Sequence, residues 1–140
     1  MFTSATQFRV RYADTDKMGV VYHSNYINYF EVARTESIRA LGITYASMEA
    51  MGIIMPVIEV QCRYIRPATY DELVTVTANL HELPEGHRIT FYQEAYNEKK
   101  ELLAKGHVTL YFMEAATMKR ALMPEKLREQ LLPFFADTTK

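Results

Sequence analysis

The segment Arg11–Tyr26, RYADTDKMGVVYHSNY, holds residue types whose spacing suits one kind of chemistry. Asp16 precedes Gly19 by three positions, and both come just before His23 and Ser24, where a helical pattern begins. The first N–H groups of a helix lack intrahelical acceptors and lie at the positive end of its dipole. They can therefore hold an anion, or the oxyanion of a transition state. Gly19 lets the chain fold back so that the Asp16 carboxylate faces those amides. A carboxylate opposite oriented amides is equipment for acyl transfer. One group activates water or attacks the carbonyl carbon, and the other takes up the charge developing on oxygen. The string Thr15-Asp16-Lys17-Met18-Gly19 also reads as an ordinary turn whose Asp satisfies its own backbone, and spacing alone leaves both readings open. Asp14 reads as a loop or strand-end carboxylate.

Around this pair, the backbone of His23 is a better candidate donor than its imidazole, because a His before a helix cap is commonly solvated. Tyr22 and Asn25 are candidate pocket liners, against the plainer readings of packing and of a first-turn helical residue. Glu31 and Glu36 are further carboxylates, each with an Arg three positions on (Arg34, Arg39), which places both pairs on the less buried face of a helix. His81, His87, His107 and Cys62 show no metal-ligand spacing, so no metal is expected. No phosphate-binding glycine loop is present and no cofactor is implied. Arg63, Arg66 and Arg88 are candidates for meeting ligand phosphates, with solvent-facing strand arginine as the simpler reading.

The elements that must position these residues follow from periodicity. Alternation predicts a strand over 7–13, with Phe8, Val10 and Tyr12 on one face. Tyr26, Phe30, Ala33, Ser37 and Leu41 then follow helical spacing over 24–41, with Ser24 as N-cap and Gly42 just past the end. A short helical piece (44–51) precedes strands over 57–66, 73–81, 88–96 and 102–113, with turns at 83–86 and 97–100. Pro124, Leu127 and Leu131 suggest a small terminal helix. A long helix segregated from a run of antiparallel strands makes an α+β domain, and the helix can bury its stripe only against the sheet. Edges left by such a wrap invite pairing with a second subunit.

Composition limits the function classes. The 140 residues are read as one domain, 1–140, and the scaling laws give roughly 7,500 Å² for the folded monomer against roughly 23,600 Å² unfolded, enough burial for a core. Sixteen Lys and Arg against seventeen Asp and Glu argue against a nucleic-acid binder that neutralises phosphates. The longest apolar run is short and interrupted by Pro56, so no membrane span is expected. The absence of a secretory pattern and a single cysteine suit a cytoplasmic, reducing compartment.

The stretch from Arg11 to Tyr26 resembles the signature of the hotdog-fold acyl-CoA thioesterases, in particular the 4-hydroxybenzoyl-CoA thioesterase family and its YbgC-like branch. Phe30-Glu31-Val32-Ala33-Arg34-Thr35-Glu36 is similar to that branch, as is Tyr64-Ile65-Arg66-Pro67-Ala68 with Tyr70 and Glu72. The resemblance covers about residues 8–115. It implies a hotdog fold, a curved antiparallel five-stranded sheet wrapped around one long helix. It further implies acyl-CoA as substrate, bound between two subunits of a homodimer or homotetramer, Asp16 as the catalytic carboxylate, and a helix-start N–H at or beside His23 as the oxyanion donor. His23 and Asn25 also match the branch. Apolar neighbours of Asp16 favour its neutral form and the helix end its charged form, so general base and nucleophile stay open. An acyl-carrier-protein thioesterase is the nearest alternative. A non-hydrolytic acyl-CoA-binding hotdog protein is another, although the chain has no DNA-binding segment. The enoyl-thioester hydratases of this fold use a tighter Asp-x-Asn-Pro-x-His arrangement that is missing here.

Overall fold

The computed structural model describes residues 1–136. Strand β1 (Phe2–Arg9) leads through a 3-10 turn (Tyr12–Asp14) and a loop into the long helix α1 (Asn25–Ala40). Helix α2 (Tyr45–Ala50) and a two-residue strand β2 (Ile53–Ile54) follow. The chain then runs through β3 (Val57–Tyr64), β4 (Leu73–Leu80), β5 (Arg88–Tyr96), β6 (Leu102–Tyr111), the short β7 (Met113–Glu114) and α3 (Glu125–Phe135). The main sheet is antiparallel and five-stranded, in the order β1-β4-β5-β6-β3, and β2 pairs with β7 as a separate ribbon.

Alternation dictates the inner face of this sheet. Val74, Val76, Ala78 and Leu80 of β4 and Ile89, Phe91, Gln93 and Ala95 of β5 are all buried. The expected α1 stripe of Tyr26, Phe30, Ala33, Ser37 and Leu41 packs onto them, and α1 touches β1, β3, β4 and β5. Gly42 closes the helix with a φ of 84°, the left-handed conformation that glycine adopts without strain. Leu127 and Leu131 of α3 are fully buried, and Phe2 meets Phe134 edge-on, so α3 packs one face against the β1 side of the sheet.

Three expectations are corrected. The first strand occupies Phe2–Arg9 rather than 7–13, and Tyr12 is exposed. It pairs along its whole length with β4, and the chain turns at Arg11 because the Asp14 carboxylate captures the Arg11 N–H. The last strand breaks at Phe112, where Met113–Glu114 leaves the main sheet to pair with β2. Finally, Arg34 is buried rather than paired with Glu31 on a wet face. Its Nη1 donates to Gln93 Oε1 at 3.1 Å, while Glu36 and Arg39 do form the surface pair, at 3.4 Å.

Strand β3 differs from the rest. It is the edge opposite β1, unpaired on its outer side among the described residues, and Val57, Ile58, Val60 and Tyr64 are between 39% and 47% exposed.

Candidate active site

Asp16 sits at the head of a tight hairpin. Thr15 bridges Val21, the Asp16 N–H donates to the Val20 carbonyl at 2.9 Å, and the Gly19 N–H donates back to the Asp16 carbonyl at 2.9 Å. Gly19 has a φ of 82°, which a residue bearing a Cβ adopts only with strain. Oδ1 of Asp16 accepts the Met18 N–H at 2.8 Å, so the turn-forming role is real. It occupies one oxygen only. Oδ2 makes no hydrogen bond among the described residues.

The hairpin is laid against the segment that follows β3, because Val20 bridges Thr69 and the Val21 N–H donates to the Ala68 carbonyl at 2.9 Å. Pro67 and its neighbours are thereby brought under the loop. The start of α1 closes the third side. The carbonyls of Tyr22, His23 and Ser24 accept the N–H groups of Asn25, Tyr26 and Ile27. The N–H groups of His23 and Ser24 find no acceptor among the described residues. Ser24 occupies the cap position with helical backbone angles and without a side-chain capping bond.

These three pieces enclose a cleft of about 300 Å³ lined by Asp16, Met18, Val20, Val21, His23, Tyr26, Tyr64, Ile65, Arg66 and Pro67. Asp16 and His23, paired on the sequence alone, therefore meet across one cavity. Tyr64 carries a contact that sequence reasoning missed. Its hydroxyl donates to the His23 carbonyl at 3.0 Å, tying the end of β3 to the helix start, and its ring lies edge-on to Tyr26 at 5.5 Å. The sole sequence signal was the second motif beginning at Tyr64, which periodicity assigned to a strand face. Burial raises the pKa of the Tyr26 and Tyr64 hydroxyls, so both stay protonated.

Tyr22 and Asn25 lie outside this cleft. Tyr22 is exposed, and its ring lies tilted at 43° against His23 with 4.3 Å between ring centres. Asn25 turns the other way, donating from Nδ2 to the Asp14 carbonyl at 2.8 Å and accepting from Asn28 at 3.2 Å. Asp14 is buried, and its carboxylate takes three hydrogen bonds: the Arg11 N–H (3.0 Å), the Arg11 guanidinium (3.0 Å) and the Tyr29 hydroxyl (2.9 Å). Burial alone would push this carboxyl up, but those bonds outweigh it and hold the group below the usual carboxylate range.

No three His, Cys, Asp or Glu side chains converge among the described residues. His81 stacks on Tyr92, His87 lies against Tyr111, and His107 approaches Glu59 at 3.7 Å. A larger depression, about 970 Å³, lies across β3 to β6 and includes Arg63, Tyr92, Lys105 and His107, but neither Asp16 nor the helix start reaches it. Of the arginines considered for ligand phosphates, only Arg66 borders the 300 Å³ cleft, where its Nε is also 3.8 Å from Glu101. No helix of the described residues is long and apolar enough to cross a membrane.

This architecture has known counterparts. The model of the thioesterase-like superfamily matches residues 10–131. YneP of Bacillus subtilis is 37% identical over 105 residues, which are 75% of each chain. YbgC of Haemophilus influenzae, named an acyl-CoA thioesterase, is 32% identical over 121 residues, 86% of this chain and 88% of that one. The crystal structure of a DHNA-CoA thioesterase from Staphylococcus aureus superposes with a TM-score of 0.89 at 37% identity, covering 97% of this chain and 93% of that one. With a sheet-and-helix core, a family match over most of its length and relatives at this level of identity, the chain belongs to the thioesterase-like superfamily, as a hotdog-fold protein of the YbgC-like type.

Proposed function

We propose that this protein hydrolyses acyl-CoA thioesters in the cleft between Asp16 and the start of α1, with Asp16 as the catalytic carboxylate. The observation that supports this most directly is the half-occupied carboxylate. Oδ1 is anchored by the Met18 N–H, which aims the unbonded Oδ2, and the cavity beside it is bordered by a helix start with two unpartnered N–H groups. A thioester carbonyl oxygen accepts the His23 or Ser24 N–H, so that the negative charge it gains on attack is met by a preorganised donor and the helix dipole. Oδ2 then takes the proton of an attacking water, or attacks the carbonyl carbon itself to give an anhydride that water opens. By either route the C–S bond breaks, the acid is released, and the CoA thiolate leaves and is protonated. Met18, Val20 and Ile65 give the cleft an apolar side against which an acyl group can pack, and the Tyr64 tether keeps the helix start in register.

The test is Asp16→Asn, with thiol release followed colorimetrically over acyl-CoA esters of graded length. Turnover should fall by about 10³-fold or more, the scale expected when a positioned acid–base or nucleophile is lost; near-wild-type turnover removes Asp16 from the mechanism. Single turnover in ¹⁸O-water separates the routes, since only nucleophilic attack places label in the Asp16 side chain.

We further infer a homodimer formed through β3, with two such dimers in any homotetramer. The unpaired strand edge and its exposed Val57, Ile58 and Val60 support it. So does the place of Tyr64 and Ile65, at the end of that edge and in the cleft wall. Val60→Glu should yield a monomer with impaired turnover by sedimentation velocity and assay, whereas an undiminished dimer refutes pairing at this edge. A single unpaired thiol, Cys62, and a thioester substrate suit a cytoplasmic location.

A further inference from the structure

Asp14 is a buried carboxylate that the proposed chemistry does not use. Every polar atom it owns is nonetheless engaged, with three bonds to Arg11 and the others to Tyr22, Asn25 and Tyr29 at and just inside the start of α1. Its own N–H donates to the Arg11 carbonyl at 2.9 Å, and its carboxylate takes back the Arg11 N–H and guanidinium, both at 3.0 Å, closing the turn that ends the first strand. The Tyr29 hydroxyl, one helical turn inside α1, donates to Oδ2 at 2.9 Å. Its backbone carbonyl accepts two donors at once, the Tyr22 N–H at 2.9 Å and Asn25 Nδ2 at 2.8 Å. Tyr22 immediately precedes the helix start and Asn25 is the first residue of α1. Asp16 lies two residues downstream of the same Asp14.

We propose that Asp14 is the positioning residue of the active site, holding the Asp16 hairpin and the amide-bearing start of α1 in one rigid frame. Covalent geometry carries the argument. The two halves of the site are joined through 15–21, a hairpin loop that could hinge, and Asp14 is the residue whose side chain and carbonyl both grip the helix beyond that loop. An extended residue spans at most roughly 3.5 Å, so two residues separate Asp14 from Asp16 by no more than roughly 7 Å. A shift of Asp14 on Tyr29 or Asn25 is therefore handed directly to the Asp16 carboxylate. The Arg11 guanidinium is largely exposed, so its ion pair adds little energy; the buried Tyr29 bond and the doubly accepting carbonyl define the frame.

This inference rests on Asp16 being the catalytic group, and the experiment keeps the two apart. Asp16→Asn, Asp14→Asn, Tyr29→Phe and the Asp14→Asn/Tyr29→Phe double variant are compared. Turnover is expressed per binding site, the sites being counted by titrating each protein with a non-hydrolysable acyl-CoA thioether, so that a smaller folded fraction does not count as slower chemistry. A misplacement of about 1 Å costs on the order of 10²-fold in rate. Asp14→Asn should therefore lower kcat by about 10²-fold with KM within twofold, Tyr29→Phe by about 10-fold, and the double variant no more than Asp14→Asn alone, because both changes cut one contact. Should Asp14→Asn fail to fold, Tyr29→Phe, which deletes a single hydroxyl, decides by the same criterion. Unchanged kcat per site in the folded variants, or losses that multiply in the double variant, overturns the assignment while leaving Asp16 in place. Full activity of Asp16→Asn overturns both readings.

Discussion

Gly106 in β6 is a stringent test of how β3 is seated. It pairs with Cys62 of β3 on one side and Gln93 of β5 on the other. Its backbone needs no special φ, so what the position requires is the missing side chain. A Cβ placed there would overlap the Gln61 carbonyl oxygen and lie 2.8 Å from the Gln61 carbonyl carbon and 3.0 Å from the Cys62 Cα. All three are backbone atoms, and no rotamer can relieve them. For Gly106→Ala to reach ordinary contact of about 3.5 Å, β3 must move away by something on the order of 2 Å, stretching its ladder to β6. Overpacking of this kind costs about 1–3 kcal/mol. The unfolding entropy, about 2.1 cal/mol/K per residue, sums over this chain to roughly 290 cal/mol/K, so the melting midpoint should fall by roughly 3–10 °C. The assay is thermal denaturation by circular dichroism at one fixed protein concentration, since an associating protein melts in a concentration-dependent way. The same displacement would move Tyr64, two residues beyond Cys62, off the His23 carbonyl, so thiol release should fall together with the midpoint. A midpoint within about 1 °C of wild type, with turnover intact, would refute the described packing of β3 on Gly106.

Two other perturbations follow from the buried polar groups. Asp14 is held below the usual carboxylate range, so it contributes stability that is complete above its unfolded pKa and lost as pH drops through its lower folded value. Below about pH 4, the wild-type melting midpoint should therefore decline more steeply than that of Asp14→Asn; parallel declines would contradict the depressed pKa. Burial pulls the Arg34 guanidinium pKa down, and its bond to Gln93 Oε1 is the side-chain hydrogen bond the guanidinium makes in the interior. Gln93→Leu strands that cation and removes the donor to the Phe30 carbonyl, and should cost about 3–5 kcal/mol in denaturant titration. Arg34→Met removes the charge and leaves one neutral amide oxygen unpaired, and should cost about 1 kcal/mol; equal losses would refute the asymmetry.

Much of the architecture was legible because its signals are local. The stripe from Tyr26 to Leu41 could only be a helix with one buried face, and the alternation in 73–80 and 88–96 could only be half-buried strands. Both hold residue by residue. The errors arose where a hydrogen-bonding partner overrode the periodic pattern. Phe8, Val10 and Tyr12 alternate well, yet Asp14 ends that run by taking the Arg11 N–H, and pairing with β4 extends the strand the other way, to Phe2. Glu31 and Arg34 have the spacing of a surface pair, yet Gln93 of β5 offers Arg34 an acceptor inside, and no inspection of the helix alone reveals it.

The chain's order of residue types settled which candidate groups are neighbours: a carboxylate in a glycine-bearing turn, followed at once by a helix start, is written in adjacent positions, and bond lengths alone keep them together. What folding alone decided is their surroundings. Tyr64 reaches the His23 carbonyl across 41 positions, Val21 lies down on Ala68, and Asn25 leaves the cleft to hold Asp14. Those partners are chosen by the register of strands that meet only after the core has closed. A period of two or of 3.6 records which face of an element is buried, and contains nothing about which residue of another element will stand opposite.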